Sequence, residues 1–173
     1  MRRMVLALAG MMAVGALPAR ATEPSVPETV AGAFNETCRR GFPNLDTIAR
    51  HAAATGWIER RSRLVAEASD PRARNMAPPR FLQKDGFTLI LMAPSVLSPG
   101  RSCSVSLRVG KDVDTARLAG AVSATLGAGP PTMVKVRKAE QAQWRPSPAL
   151  VVHASVGSGG AVRTADISVR SGS

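Results

Sequence analysis

The residues best suited to catalysis lie in the last quarter of the sequence, where two segments alternate apolar and polar side chains. A hairpin between these segments places His153 and Asp166 on one face, on neighbouring strands. With Ser155 or Ser168 beside them, the set contains the residue types of a hydrolytic triad. No Gly-x-Ser-x-Gly turn accompanies them, and catalytic nucleophiles are usually held on strained turns. A small hydrolase that uses His153 and Asp166 is therefore an alternative function and not the leading one.

A second set of candidate residues is basic and belongs to the irregular segment 57–80. The chain has 23 Lys and Arg against 12 Asp and Glu, a formal net charge of +11. Arginines mixed with apolar side chains are suited to an anionic surface. The expected contacts are Trp57, Arg60, Arg61, Arg63, Arg72 and Arg74. The other interpretation is an ordered meander pinned by Trp57, whose arginines are simply solvated, and it is the favoured one for a loop of this composition. Nucleic acid is not an expected partner, because there is no tyrosine and no stacking motif.

The N-terminal residues have the pattern of a secretory signal peptide. A positive start at 1–3 precedes an apolar run at 4–17 and a small-x-small site at 19–21, which predicts cleavage after Ala21. Three arginines leave with this segment, so the mature chain is expected to carry a charge of +8. No later stretch approaches the ~20 apolar residues of a membrane helix. We expect a periplasmic or secreted protein with one domain, 22–173.

Only two cysteines, Cys38 and Cys103, occur in the chain. In an oxidising compartment the simplest interpretation is one disulfide, and the alternative is a reactive thiol or a metal ligand. A zinc site needs three or four ligands, but the chain has no Cys-x-x-Cys motif and only two histidines, His51 and His153. We therefore predict no metal and no cofactor.

Helical spacing and capping residues predict three helices. Ser25 and Glu28 form a capping box before a first helix at 27–39. Asn44 caps a second helix that ends at Gly56, so the first two helices form a helical hairpin. A third helix begins after Asp112 or Asp114 and ends at 127–131, a stretch rich in glycine and proline.

Alternation and turn signals predict an antiparallel sheet. Asp85-Gly86 joins strands 81–84 and 87–92, and a third strand, 101–109, alternates Cys103, Val105 and Leu107 with serines. Residues 133–136 form a short strand suited to an edge. The last hairpin has its loop at 157–160 and pairs residue 156 with 161 and 150 with 167. This register places six apolar side chains on one face and His153 with Asp166 on the other.

Four features of the chain resemble those of a group of small exported proteins of Gram-negative bacteria to which no activity is assigned. They are the signal peptide, Phe34-Asn-Glu-Thr-Cys38, Thr55-Gly56-Trp57 and Cys103-Ser-Val105. The resemblance implies a bridge between Cys38 and Cys103, and it implies no enzymatic activity.

Together these patterns predict an α+β fold, with an N-terminal helical hairpin and an antiparallel sheet on which a third helix packs. The leading function is a non-catalytic periplasmic binding or interaction module that contacts anionic envelope components. The alternatives are the hydrolase described above and an accessory or inhibitor subunit that docks through a sheet edge. The sequence does not determine the ligand, the partner or the oligomeric state.

Overall fold

The computed structural model describes residues 23–60, 77–95, 99–136, 139–159 and 162–171. The helices in these ranges are α1 (Val26–Phe34), extended by a π-helical turn (Asn35–Arg39), α2 (Leu45–Ala54) and α3 (Thr115–Leu126). The strands are β1 (Ile58–Arg60), β2 (Arg80–Lys84), β3 (Phe87–Met92), β4 (Ser102–Val109), β5 (Thr132–Val136), β6 (Ala139–Ser147), β7 (Leu150–Gly159) and β8 (Val162–Ser171). The predicted α+β class is confirmed. Within the described residues, no helix is both long and apolar enough to cross a membrane.

The predicted capping residues begin all three helices. The backbone N–H and the hydroxyl of Ser25 donate to the Glu28 carboxylate at 2.7 and 2.9 Å. The Asn44 side chain accepts from the Thr47 N–H at 3.0 Å, and Asp114 accepts from the Arg117 N–H at 2.8 Å. Each contact satisfies a polar group that the first helical turn would otherwise leave unpaired. The helical hairpin is confirmed, and Asp114 rather than Asp112 caps α3.

Asn44→Ala is expected to lower the free energy of unfolding by about 1 kcal/mol, because α2 loses its capping acceptor. Asn44→Asp keeps an acceptor in place and is expected to retain most of the stability. Urea unfolding of the three proteins checks this. Equal losses for the Ala and Asp variants would show that the cap contributes little.

All eight strands belong to one antiparallel sheet, in the order β1-β2-β3-β4-β8-β7-β6-β5. The pairing of β4 with β8 joins two groups of strands, β1 to β4 and β5 to β8. Alternating apolar residues, such as Leu89, Val105 and Ile167, are buried on one face, against which the helices pack. We call the opposite face, which carries the alternate residues of each strand, the polar face. No described helix packs against it.

The disulfide between Cys38 and Cys103 links the helical layer to the sheet. Cys38 lies in the π-helical turn that extends α1, and Cys103 lies on β4, the strand that bridges the two groups of strands. Both side chains are buried in the core. The predicted bridge is confirmed, and it closes a loop with a sequence separation of 65 residues.

The predicted register of the last hairpin is wrong, although its faces are right. In the structure Val156 pairs with Ala165 and Leu150 with Ser171. Relative to the prediction, each residue of β7 pairs with a partner four positions later in the chain. Because side chains alternate with a period of two, this shift leaves every residue on its expected face. Residues 157–159 belong to β7, so this glycine-rich stretch is strand rather than hairpin loop.

Two strands differ from the predicted elements. Segment 57–80 is not irregular throughout, because Ile58–Arg60 forms β1 and pairs with β2. Strand β6 lies in a stretch for which no element is predicted, and it separates β5 from β7. The edge position predicted for 133–136 is confirmed, since β5 is the last strand of the sheet.

Candidate functional site

Polar side chains meet at the centre of the polar face, where β4, β8 and β7 run side by side. The strand registers define two rows across these strands and β6. One row contains Ser104, Ser168, His153 and Gln143, and the other contains Ser106, Asp166, Ser155 and Gln141. The sequence predicts that His153 and Asp166 share this face, and the structure confirms this. They are diagonal neighbours, because His153 pairs with Ser168 while Asp166 pairs with Ser155.

Asp166 is a partly buried carboxyl between two serines. Among the described residues, none donates a hydrogen bond to it, and the Ser106 hydroxyl is directed instead at the Thr88 carbonyl oxygen, 3.5 Å away. Burial raises the pKa of Asp166 to about 6, against a smaller opposing effect of the Arg170 charge. The carboxyl therefore changes charge close to neutral pH.

His153 is held by a neighbouring strand. Its Nδ1 lies 3.4 Å from Nε2 of Gln143, the residue opposite it on β6. Because an amide nitrogen only donates, Nδ1 accepts and the proton of the neutral imidazole lies on Nε2. Burial lowers the pKa of His153, and the charges of Arg170 and Arg145 lower it further. At neutral pH the imidazole is therefore uncharged and offers one N–H donor.

The pair does not have the geometry of a hydrolytic triad. In a triad the carboxylate accepts from the imidazole and so fixes its tautomer. Here the Gln143 amide donates to Nδ1 instead and so favours the opposite tautomer, in which Nε2 carries the proton and cannot accept one from a serine. Among the described residues, no hydrogen bond joins His153 to Asp166. Ser155 and Ser168 lie on regular strands rather than on strained turns. The arrangement is better suited to binding than to nucleophilic chemistry.

Arginines surround this polar centre. Arg170 lies on β8 opposite Val151, Arg108 lies on β4 opposite Thr164, and Arg145 follows Trp144 at a β-bulge in β6. No ion pair joins these arginines to a described carboxylate, since the described ion pairs all involve Arg80. Asp166 is the one acidic residue on the polar face of the described strands. The surface therefore carries uncompensated positive charge.

The structure separates the residues predicted to contact an anionic surface. Trp57 is only 7% exposed and packs near Phe87, so its predicted surface contact is wrong and it is a core residue, as in the alternative of a meander pinned by Trp57. Arg60 is exposed on the polar face of β1, beside Ile58, which is 58% exposed. Arg61, Arg63, Arg72 and Arg74 lie outside the described residues.

Arg80, at the end of the predicted basic segment, is engaged in ion pairs. Its guanidinium donates to both carboxylate oxygens of Glu59 at 2.8 and 2.9 Å, and it lies 3.5 Å from Asp46 of α2. These contacts lower the pKa of Glu59 and raise that of Arg80. Arg80 ties the edge strand β1 to β2 and to α2, and it is not available to an external anion.

A cleft of about 400 Å³ opens on the helical side, between α1, α2 and the β2–β3 turn. His51, Glu28, Glu36 and Lys84 line it with charges of both signs. Lys84 donates to the Thr55 carbonyl oxygen at 2.8 Å and so closes one side of the cleft. No group of three or more His, Cys, Asp or Glu side chains suited to a metal occurs in the part of the chain that the structure describes.

The polar-face arginines of β4, β6 and β8 were missed in the sequence analysis, which predicted the basic surface from a local run of charge. Arg145 and Arg170 are far apart in the chain, and the pairing of β8 with β7 and of β7 with β6 places both where their charges act on His153. Arg108 lies farther away, six residues along β4 from Ser102, the partner of Arg170. The strand alternation around Arg108 and Arg170 indicated their face but not their neighbours. Comparison of the chain with protein-family models, curated proteins and solved structures finds no match.

Proposed function

We propose that this chain is a non-catalytic periplasmic binding module whose polar face contacts an anionic membrane surface. The observation that carries the proposal is the set of polar-face arginines without carboxylate partners. The predicted signal peptide supports export, and the disulfide is compatible with an extracytoplasmic location.

The composition of the polar face favours a lipid surface over a purely ionic partner. Ile58, which is 58% exposed, lies two residues from Arg60 on β1, and Met92, which is 41% exposed, lies on the same face of β3. Exposed apolar side chains next to arginines are suited to the boundary between headgroups and acyl chains. An acidic polymer offers the charge but no apolar phase.

The test is cosedimentation of the oxidised mature protein with vesicles of zwitterionic lipid, prepared with and without an anionic lipid. We expect binding only to the anionic vesicles, and we expect about 1 M salt to abolish it, because the Debye length then falls to about 3 Å. Arg60→Gln and Arg108→Gln are each expected to weaken binding about fivefold, since a cation at an anionic surface contributes about 1 kcal/mol.

Arg50→Gln is the matched control, because Arg50 is an exposed arginine of α2 and lies away from the polar face. It removes the same charge and is expected to leave binding unchanged. An equal loss for Arg50→Gln would assign the effect to net charge alone. Absence of vesicle binding, together with binding to an acidic polysaccharide, would replace the membrane with an envelope polymer.

A further inference from the structure

Four hydrogen-bond donors converge on one part of the polar face. His153 on β7 lies opposite Ser168 of β8, and Arg170 lies two residues beyond Ser168 on the same strand. Diagonal neighbours in a sheet are separated by about 7 to 8 Å, which is within the reach of an arginine side chain. Arg145 approaches from β6, and its charge and that of Arg170 both act on His153. Three strands thus place two guanidinium groups around one imidazole.

Most of the groups that face this position are donors, and the one described carboxyl nearby is that of Asp166, which is diagonal to His153 and makes no ion pair with either arginine. The Gln143 amide occupies Nδ1 of His153 and leaves the Nε2–H free. Each guanidinium presents several N–H donors and cannot accept a hydrogen bond. No described residue accepts a hydrogen bond from the His153 Nε2–H or from these two guanidinium groups. An oxyanion would supply the acceptors that these donors lack, and the arginines already supply the balancing positive charge.

Ser168 provides an independent observation. Its side chain is 7% exposed, and its hydroxyl makes no hydrogen bond with another described residue. Among the described residues the one buried side-chain polar atom without a partner is Nε of Arg163, so the Ser168 oxygen is not sealed in the core and can be reached from the polar face by an external ligand. The neighbouring Ser104, opposite Ser168 on β4, is also partly buried.

We propose that Arg145, His153, Ser168 and Arg170 form a binding subsite for a phosphoryl group. The two guanidinium groups bind its oxygens, the His153 Nε2–H donates to it, and the Ser168 hydroxyl completes the contacts. Two arginines match a phosphoryl group better than a carboxylate, because its oxygens are arranged tetrahedrally and can accept from two guanidinium groups that approach from different strands. The subsite deepens the proposed function, because phospholipid headgroups carry a phosphoryl group. Its physiological ligand rests on that proposed function.

The direct test is a titration of the oxidised mature protein with inorganic phosphate at neutral pH, followed by nuclear magnetic resonance of the His153 ring. We expect saturable shifts of the His153 signals and a higher His153 pKa in the bound state, because an anion stabilises the imidazolium. Arg145→Gln and Arg170→Gln are each expected to weaken binding about tenfold, since hydrogen bonds to charged groups are stronger than neutral ones. Ser168→Ala is expected to weaken it by a smaller factor.

Arg108→Gln is the matched control, because Arg108 is a polar-face arginine on β4 outside this group. Phosphate binding that is unchanged in both Arg145→Gln and Arg170→Gln, or weakened equally by Arg108→Gln, would overturn the subsite. So would an unchanged His153 signal across the titration.

The two proposals fail in different experiments. If anionic vesicles bind but Arg145→Gln and Arg170→Gln bind them as tightly as the wild type, the subsite is wrong and the membrane function stands. If inorganic phosphate binds at His153 but the anionic vesicles do not bind, the subsite stands for a free phosphate and the membrane function is wrong.

Discussion

Removing the Cys38–Cys103 disulfide is expected to lower the free energy of unfolding by about 4 kcal/mol. The bridge closes a loop with a sequence separation of 65 residues, and in the chain-entropy model this restriction destabilises the unfolded state by that amount. Both cysteines are buried, and Cys103 lies on the strand that joins the two halves of the sheet. The loss is a large fraction of the stability of an ordinary domain.

Urea unfolding of the oxidised protein, the reduced protein and the double variant Cys38→Ala, Cys103→Ala measures this effect. We expect the reduced protein and the double variant to lose similar amounts of stability. A reducing agent should leave the double variant unchanged, which controls for effects of the reagent. A difference of less than about 1 kcal/mol between oxidised and reduced protein would contradict the expectation.

Asp166→Asn is expected to stabilise the protein at neutral pH by up to about 3 kcal/mol. The ordinary pKa of the carboxyl is 3.8, and burial raises it to about 6 in the folded protein. At pH values between 3.8 and 6, Asp166 keeps its proton in the folded state and releases it in the unfolded state. Stability therefore falls as pH rises from 3.8 to 6, at about 1.4 kcal/mol per pH unit, and is constant for this group outside that window. Asparagine is neutral throughout and avoids the loss.

The measurement is the difference in unfolding free energy between Asp166→Asn and the wild type across this pH range. It should be close to zero below pH 3.8 and should reach its full value above pH 6. His153, Arg108 and Arg170 face Asp166 from the neighbouring strands and its own strand. The lowered pKa of His153 gives an effect of opposite sign, in which stability is lost as pH falls, and this effect is present in both proteins.

Glu36→Gln removes an exposed carboxylate from the π-helical turn and controls for the change in net charge. It is expected to reproduce none of the stabilisation that Asp166→Asn gives at neutral pH. A difference between Asp166→Asn and wild type that does not vary with pH would mean that Asp166 is solvated in the folded state.

The sequence was sufficient for features that depend on local chemistry. Asn44 and Asp114 are side-chain caps, and a turn with positive φ at Asp85 and Gly86 joins two strands as predicted. The alternation of apolar and polar residues along β4 predicted that Cys103 lies on the core face. The same alternation along β7 and β8 predicted that His153 and Asp166 share a face, and this holds because the register was wrong by an even number of residues. Local patterns thus determined which face each residue occupies.

Features that depend on distant pairing were not predicted. β6 was missed because its core face is marked only by Ala142 and Trp144 within a polar stretch that also contains Pro146. β1 was missed because its three residues are exposed and two of them are charged. Arg145 and Arg170 come near His153 only because β7 lies between β6 and β8, and strand order is not encoded in the alternation of any single strand.

The central position of β8 also affects how the chain folds. It is the last strand along the described chain, yet it lies between β4 and β7 and forms the seam between the two groups of strands. Until β8 is in place, the two halves have no common strand, and both β4 and β7 present unpaired edges. Such non-local pairing slows folding and prolongs the exposure of apolar surface. Completion of the sheet therefore depends on the last strand of the described chain, and a chain shortened before β8 is expected to leave the two halves of the sheet unjoined.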